Sequence, residues 1–93
     1  MSSFALQVPV DARYRVLAPE VAGRYVDVLG GSDSDRQAFT AAITDALATV
    51  SRGAAADGDI HMAFKTDASG IVVDCRCEGR STVVRHALTA ARR

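Results

Sequence analysis

Asp59–Glu78, DIHMAFKTDASGIVVDCRCE, decides how the chain is read. Ile60, Met62 and Phe64 alternate with His61, Ala63 and Lys65. That period of two is the mark of a strand with one buried face. Asp67-Ala68-Ser69-Gly70 then interrupts the pattern with turn residues and a Gly where a positive φ is wanted. Alternation resumes with Ile71, Val73, Cys75 and Cys77 on one side and Val72, Asp74, Arg76 and Glu78 on the other. Two such runs about a tight turn predict an antiparallel β-hairpin.

Upstream, Phe39, Ala42, Ile43, Ala46, Leu47 and Val50 recur at i, i+3, i+4 and predict a helix over 35–52. Ser34 and Gln37 fit the S-x-x-Q capping box that opens such a helix, and Gly53 closes it. Before it, Tyr14, Leu17, Val21, Tyr25, Val28 and Leu29 give a second helical stripe, entered from Asp11 and ended by Gly30-Gly31. Pro19 sits inside this stripe, so the helix either kinks there or restarts with Pro19 in its first turn. Phe4–Val10 alternates again, and Pro9, lacking an N–H, points to an edge strand or a strand's end.

The order strand, helix, helix, strand, strand describes one α+β domain spanning 1–93, with two helices on one face of a small, mainly antiparallel sheet of at least three strands. Residues 59–78 should be its centre, and Phe39, Ile43, Leu47, Ile60, Met62, Phe64, Ile71 and Val73 its core. The C-terminal stretch reads two ways. Ser81 can cap a helix carrying Val84, Ala87, Leu88 and Ala91, while Thr82-Val83-Val84 can extend a strand; helix is slightly favoured.

Composition narrows the function classes. Hydrophobic residues make up 48% and charged residues 24%, which suits a globular rather than a disordered chain. Eleven basic and eleven acidic residues cancel, so no global field draws the chain to nucleic acid. No secretory signal and no apolar run long enough to span a membrane is seen, and a cytoplasmic protein is expected. Cys75 and Cys77 form C-x-C on a strand, where same-face residues stand roughly 6.5–7 Å apart, too far for a relaxed disulfide. His61 and His86 lack the spacing that would complete a zinc site, so two buried free thiols and no metal are expected.

Two stretches invite a chemical reading. Gly30–Asp35 runs into a helix N-terminus, but Asp33 and Asp35 stand where a phosphate would sit and no G-K-[ST] follows. A capped turn is the better reading. Ala41–Val50, AAITDALATV, carries Asp45 and, one turn on, Thr49, within an otherwise small and apolar helix. This pair is either an ordinary polar edge or what remains of a site.

With the element order, TAAITDALATV and IHMAFKTDASGIVVDCR, the chain resembles the N-terminal two-thirds of a GHKL-type ATP-binding domain over roughly residues 4–80. More narrowly it is similar to the anti-sigma-factor serine kinases of bacteria. The resemblance implies an E-x-x-x-N helix whose acid activates the attacking group and whose amide holds Mg²⁺; Asp45 and Thr49 stand at those positions. Asp is a methylene shorter than Glu, and Thr is a weaker Mg²⁺ ligand than Asn. The family's D-x-G-x-G is met only by Asp74–Gly79 without the two spaced glycines, and no glycine-rich lid follows. A trimmed relative without cofactor is implied, acting by binding a sigma factor, an anti-sigma antagonist or a second copy of itself as a homodimer. The alternative is a minimal ATP- and Mg²⁺-binding serine kinase with Asp45 as base.

Arg80, Arg85, Leu88, Arg92 and Arg93 are the expected partner-binding residues, lying where the family would place its lid. Removing 81–93 is accordingly expected to weaken binding more than it disturbs the hairpin.

Overall fold

The computed structural model describes residues 2–11, 13, 16–55, 57–68 and 70–87. Its elements run β1 (Ser2–Pro9), α1 (Leu17–Val28), α2 (Asp33–Ser51), β2 (Asp59–Asp67), β3 (Gly70–Cys77) and β4 (Arg80–His86). All neighbouring strands are antiparallel, in the spatial order β1-β2-β3-β4. The expected hairpin is thus the centre of the sheet, and both helices cover one face of it in an α+β fold.

Side-chain alternation sorts the sheet into two faces. Phe4, Leu6 and Val8 stand opposite Phe64, Met62 and Ile60. Met62 and Phe64 stand in turn opposite Cys75 and Val73, and Val73 opposite Val84. This face and the helices share one core, in which all eight expected core residues are buried. Phe4 stacks on Phe64 at 4.4 Å between ring centres, and Tyr25 of α1 meets both edge-on.

β4 corrects the favoured helical reading of the C-terminal stretch. Ser81–His86 continues the sheet, pairing residue by residue with β3. Thr82, Val83 and Val84 are β-branched and suit a pleated surface better than a helix. Val84 is buried and His86 half-buried, so removing 81–93 would delete a strand of the core sheet and not merely a tail. Tyr14, Leu88, Ala91, Arg92 and Arg93 lie outside the described residues.

α1 begins late, at Leu17, so Pro19 is its third residue. Its missing N–H falls among first-turn donors that lack an intrahelical partner in any helix. The restart, not the kink, is what the described residues show. The buried stripe also differs from the expected one. Ala18, Ala22, Gly23 and Val26 face inward, while Leu17 and Val28 are 49% and 82% exposed. Small residues let α1 lie close to α2: a Cβ on Gly23 would come within 3.3 Å of Arg36 and Thr40 side-chain carbons. A count of large apolar positions misses a helix that packs through its small ones.

Gly30 (φ +84°) ends α1, with Gly31 N–H donating to Val26 O at 3.0 Å and Gly30 N–H to Asp27 O at 3.1 Å. The cap of α2 is Ser32, two residues before the expected Ser34. Ser32 Oγ accepts from Asp35 N–H and the Asp35 carboxylate accepts from Ser32 N–H, each at 3.0 Å. Asp takes the role expected of Gln37, because the chain turns helical as soon as the two glycines are passed.

At the hairpin turn Gly70 has φ +133°, and a Cβ there would lie 2.2 Å from the His86 carbonyl oxygen. Only glycine lets the end of β4 approach so closely.

Candidate functional site

Asp45 and Thr49 lie on the exposed side of α2, away from the sheet. The Thr49 hydroxyl donates to the Asp45 main-chain carbonyl at 2.9 Å, the i−4 back-bond common to helical threonines. The Asp45 carboxylate has no hydrogen-bond or ion-pair partner among the described residues. The two residues share a helix edge with the spacing expected, yet the hydroxyl is directed to the backbone.

Asp74–Gly79, the stretch compared with D-x-G-x-G, is the end of β3 and its turn into β4. Asp74 is on the outer face, 3.2 Å from Arg76. Glu78 and Gly79, at φ +49° and +85°, make a two-residue reversal joining Cys77 to its partner Arg80. Glu78 is in a left-handed conformation that a non-glycine residue rarely adopts. Its carboxylate accepts Ala55 N–H at 3.0 Å, tying this turn to the loop after α2.

The expected basic surface divides in two. Arg80 sits at the start of β4 beside a cavity of about 210 Å³ lined with Arg52, Gly53, Ala54, Cys77 and Glu78. Arg85 belongs to the sheet's outer face, opposite Val72. Five residues apart on one strand, the two point to opposite faces of the sheet and form no single basic patch. Leu88, Arg92 and Arg93 are outside the described residues.

Cys75 and Cys77 are free and buried on the helix-covered face. Burial, with a smaller contribution from Asp74, pushes the Cys75 thiol up to about 11. The Cys77 thiol is also raised, by burial first, then by Glu78 and Asp59 against an opposing Arg80. Protonated thiols are poor nucleophiles and poor metal ligands. Among the described residues no group of three or more His, Cys, Asp or Glu is placed to hold a metal ion.

The polar contact that sequence reasoning missed is between Asp35 and His86. Asp35 is 2% exposed, and its Oδ1 lies 3.0 Å from His86 Nε2. The Phe39 ring lies beside the imidazole, 5.8 Å between centres. One signal was available: Asp35 is four residues before Phe39, in phase with the buried stripe, where an unpaired carboxylate would be costly.

Two larger concavities mark the surface. One, of about 570 Å³, runs between α1 and α2 and includes Gly23, Arg24, Asp27, Arg36 and Thr40. Arg36 there bridges Asp27 at 3.5 Å and Asp33 at 3.2 Å. The other, of about 590 Å³, is a depression in the outer face of the sheet, with Ala5 and Ala63 in its floor and Gln7, His61, Lys65 and Arg76 around it. The described helices lie on the opposite face of the sheet. No described helix is long and apolar enough to cross a membrane.

Compared with known proteins, the chain matches no family model, no curated protein and no solved structure.

Proposed function

We propose that this chain is a non-catalytic regulatory module that acts by binding another protein, resembling an anti-sigma factor that has lost its nucleotide site. The observation that carries the reading is the open outer face of the sheet. It spans four strands, holds a broad depression and presents Val83 at 50% exposure with half-buried Val72 beside it. Antiparallel sheets tolerate one solvated face, so the apolar content of this one is the telling part.

The loss of nucleotide chemistry is supported from α2 and from the turn after β3. Asp45 and Thr49 are exposed, and Thr49 donates to a main-chain carbonyl. A two-residue turn leads straight from β3 into β4, where the family would begin its lid. A cytoplasmic location, and a sigma factor, an anti-sigma antagonist or a second copy as partner, belong to the same proposal.

The test is calorimetric titration of the chain with purified sigma factors and anti-sigma antagonists from the same genome, and by dilution for self-association. The expected result is one saturable partner whose affinity does not change with Mg-ATP. Binding to none of them, itself included, overturns the proposal. Affinity that changes with Mg-ATP and loses that change in Asp45→Ala favours the minimal kinase.

A further inference from the structure

We infer that β1 is a dimerisation edge, on which a second copy of the chain lays its own β1 antiparallel about a two-fold axis. This pairing rests on the protein-binding reading above and names both the partner and the surface, which is the edge of the sheet and not its outer face.

The ladder decides which main-chain groups of β1 face outward. Its register with β2 pairs Val8 with Ile60 and Pro9 with Asp59, and the next residue, Val10, donates its N–H to the Gly58 carbonyl at 2.9 Å. Hydrogen-bonded and non-bonded positions alternate along an antiparallel strand. Val8, Leu6 and Phe4 therefore turn their main-chain groups to β2, while Ser3, Ala5, Gln7 and Pro9 turn theirs outward. None of these outward groups has a hydrogen-bond partner among the described residues. Pro9, with no N–H, falls on the outward side, where it costs the ladder nothing.

Edges of this kind are normally guarded by charge, by an internal proline or by a bulge. β4, the other edge, carries Arg80 and Arg85. β1 has no charged residue, runs against β2 without a bulge from Ser2 to Pro9, and holds its proline at the last position. It is the unguarded edge of the sheet.

The strand is its own complement. With the axis through Ala5, each Ala5 faces the partner's Ala5, and Ser3 faces the partner's Gln7. Every outward N–H, of Ser3, Ala5 and Gln7, then meets an outward carbonyl of the other copy. Sliding the pair towards Pro9 would set the proline ring, and not an N–H, against the partner's Ser3 carbonyl. On the helix-covered face Phe4 stands opposite the partner's Leu6. Both are half-buried and packed on the core. The apolar row Phe4, Phe64, Val73, Val84 thus continues into the second copy. No charge on either strand opposes the pairing, and the axis, normal to the sheet, leaves the helices of both copies on one side. A strand of other origin would have to reproduce the same alternation.

The test is sedimentation of the full chain over a micromolar-to-millimolar dilution series, with amide hydrogen exchange read by NMR at both ends of the series. A closed dimer is expected. The amides of Ser3, Ala5 and Gln7 should exchange about tenfold more slowly or better when concentrated, while those of Phe4, Leu6 and Val8 stay protected throughout. Ala5→Lys sets like charges face to face across the axis and should weaken the dimer about tenfold or more with the melting curve kept. Ala5→Pro removes an outward N–H that the fold does not use and should do the same. If the ring disturbs folding, Ala5→Lys decides alone, because Ala5 is exposed. A monomer at every concentration, a dimer indifferent to Ala5→Lys, or protection that does not change with concentration overturns the pairing. So do assemblies that keep growing, as head-to-tail contact of β1 with β4 would. A monomer that still binds a sigma factor or its antagonist overturns the pairing and leaves the protein-binding reading standing.

Discussion

His86 Nε2 lies 3.0 Å from Asp35 Oδ1, which ties the last residue of β4 to the first turn of α2. The same carboxylate closes the capping box through Ser32 N–H. One buried acid therefore serves a helix end and a sheet edge together. Asp35→Ala removes a cap and a charge-assisted hydrogen bond and should cost about 2–4 kcal/mol, while His86→Ala should cost about 1–3 kcal/mol. Denaturant unfolding of both variants and their combination should give a double-variant cost smaller than the sum. Strict additivity would show that the pair is not coupled.

Glycine is required at Gly70 by contact as well as by conformation. Gly70→Ala would bring a Cβ to 2.2 Å from a main-chain oxygen, whereas Gly30→Ala meets nothing within 4 Å. Both positions have positive φ, so Gly30→Ala should cost about 1 kcal/mol and Gly70→Ala about 3 kcal/mol or more. Thermal denaturation should rank them in that order.

The phase of the two helices is checked by a matched pair of leucines. Leu47 is 2% exposed and Leu17 is 49% exposed. Leu47→Ala should cost about 2–5 kcal/mol. Leu17→Ala should stay within about 0.5 kcal/mol of wild type. Equal losses would mean that α1 is turned as its large residues suggested.

Cys75 gives the chain an alkaline weakness. Its thiol stands at about 11 in the folded protein, against an ordinary 9.0. As pH rises, the unfolded chain releases this proton first, so the stabilisation is whole below about 9 and is lost towards 11. The melting temperature should fall over that window, and less steeply in Cys75→Ala. At pH 8 a thiol reagent should label Cys75 slowly in the native protein and rapidly in denaturant.

The hairpin was legible because its pattern is local. Ile60, Met62, Phe64, Ile71 and Val73 alternate around one turn, and that period specifies both strand and face. α2 was legible for the same reason, since Phe39, Ile43 and Leu47 are large and regularly spaced. α1 was read in the wrong phase because Ala18, Ala22 and Gly23 bury little area themselves yet decide how closely two helices approach. The stretch after Gly79 was misread because Val84, Ala87 and Leu88 fit helical spacing, while Glu78-Gly79 was not taken as a hairpin turn. Asp35 and His86 are 51 residues apart, and no short-range rule joins them. At the candidate site, the helical proximity of Asp45 and Thr49 was legible. The direction of the Thr49 hydroxyl was not, because a back-bond depends on rotamer and not on spacing.

The central claim, a protein-binding module without nucleotide chemistry, meets its most direct test in the melting temperature at millimolar Mg-ATP. A nucleotide bound to the folded state at 100 times its Kd would add about 2.7 kcal/mol. For a domain of this size that is a rise of roughly 10 °C or more. The account predicts no rise beyond about 1 °C, in wild type or in Asp45→Ala. A rise of several degrees in wild type that disappears in Asp45→Ala would contradict it and make Asp45 part of a working nucleotide site.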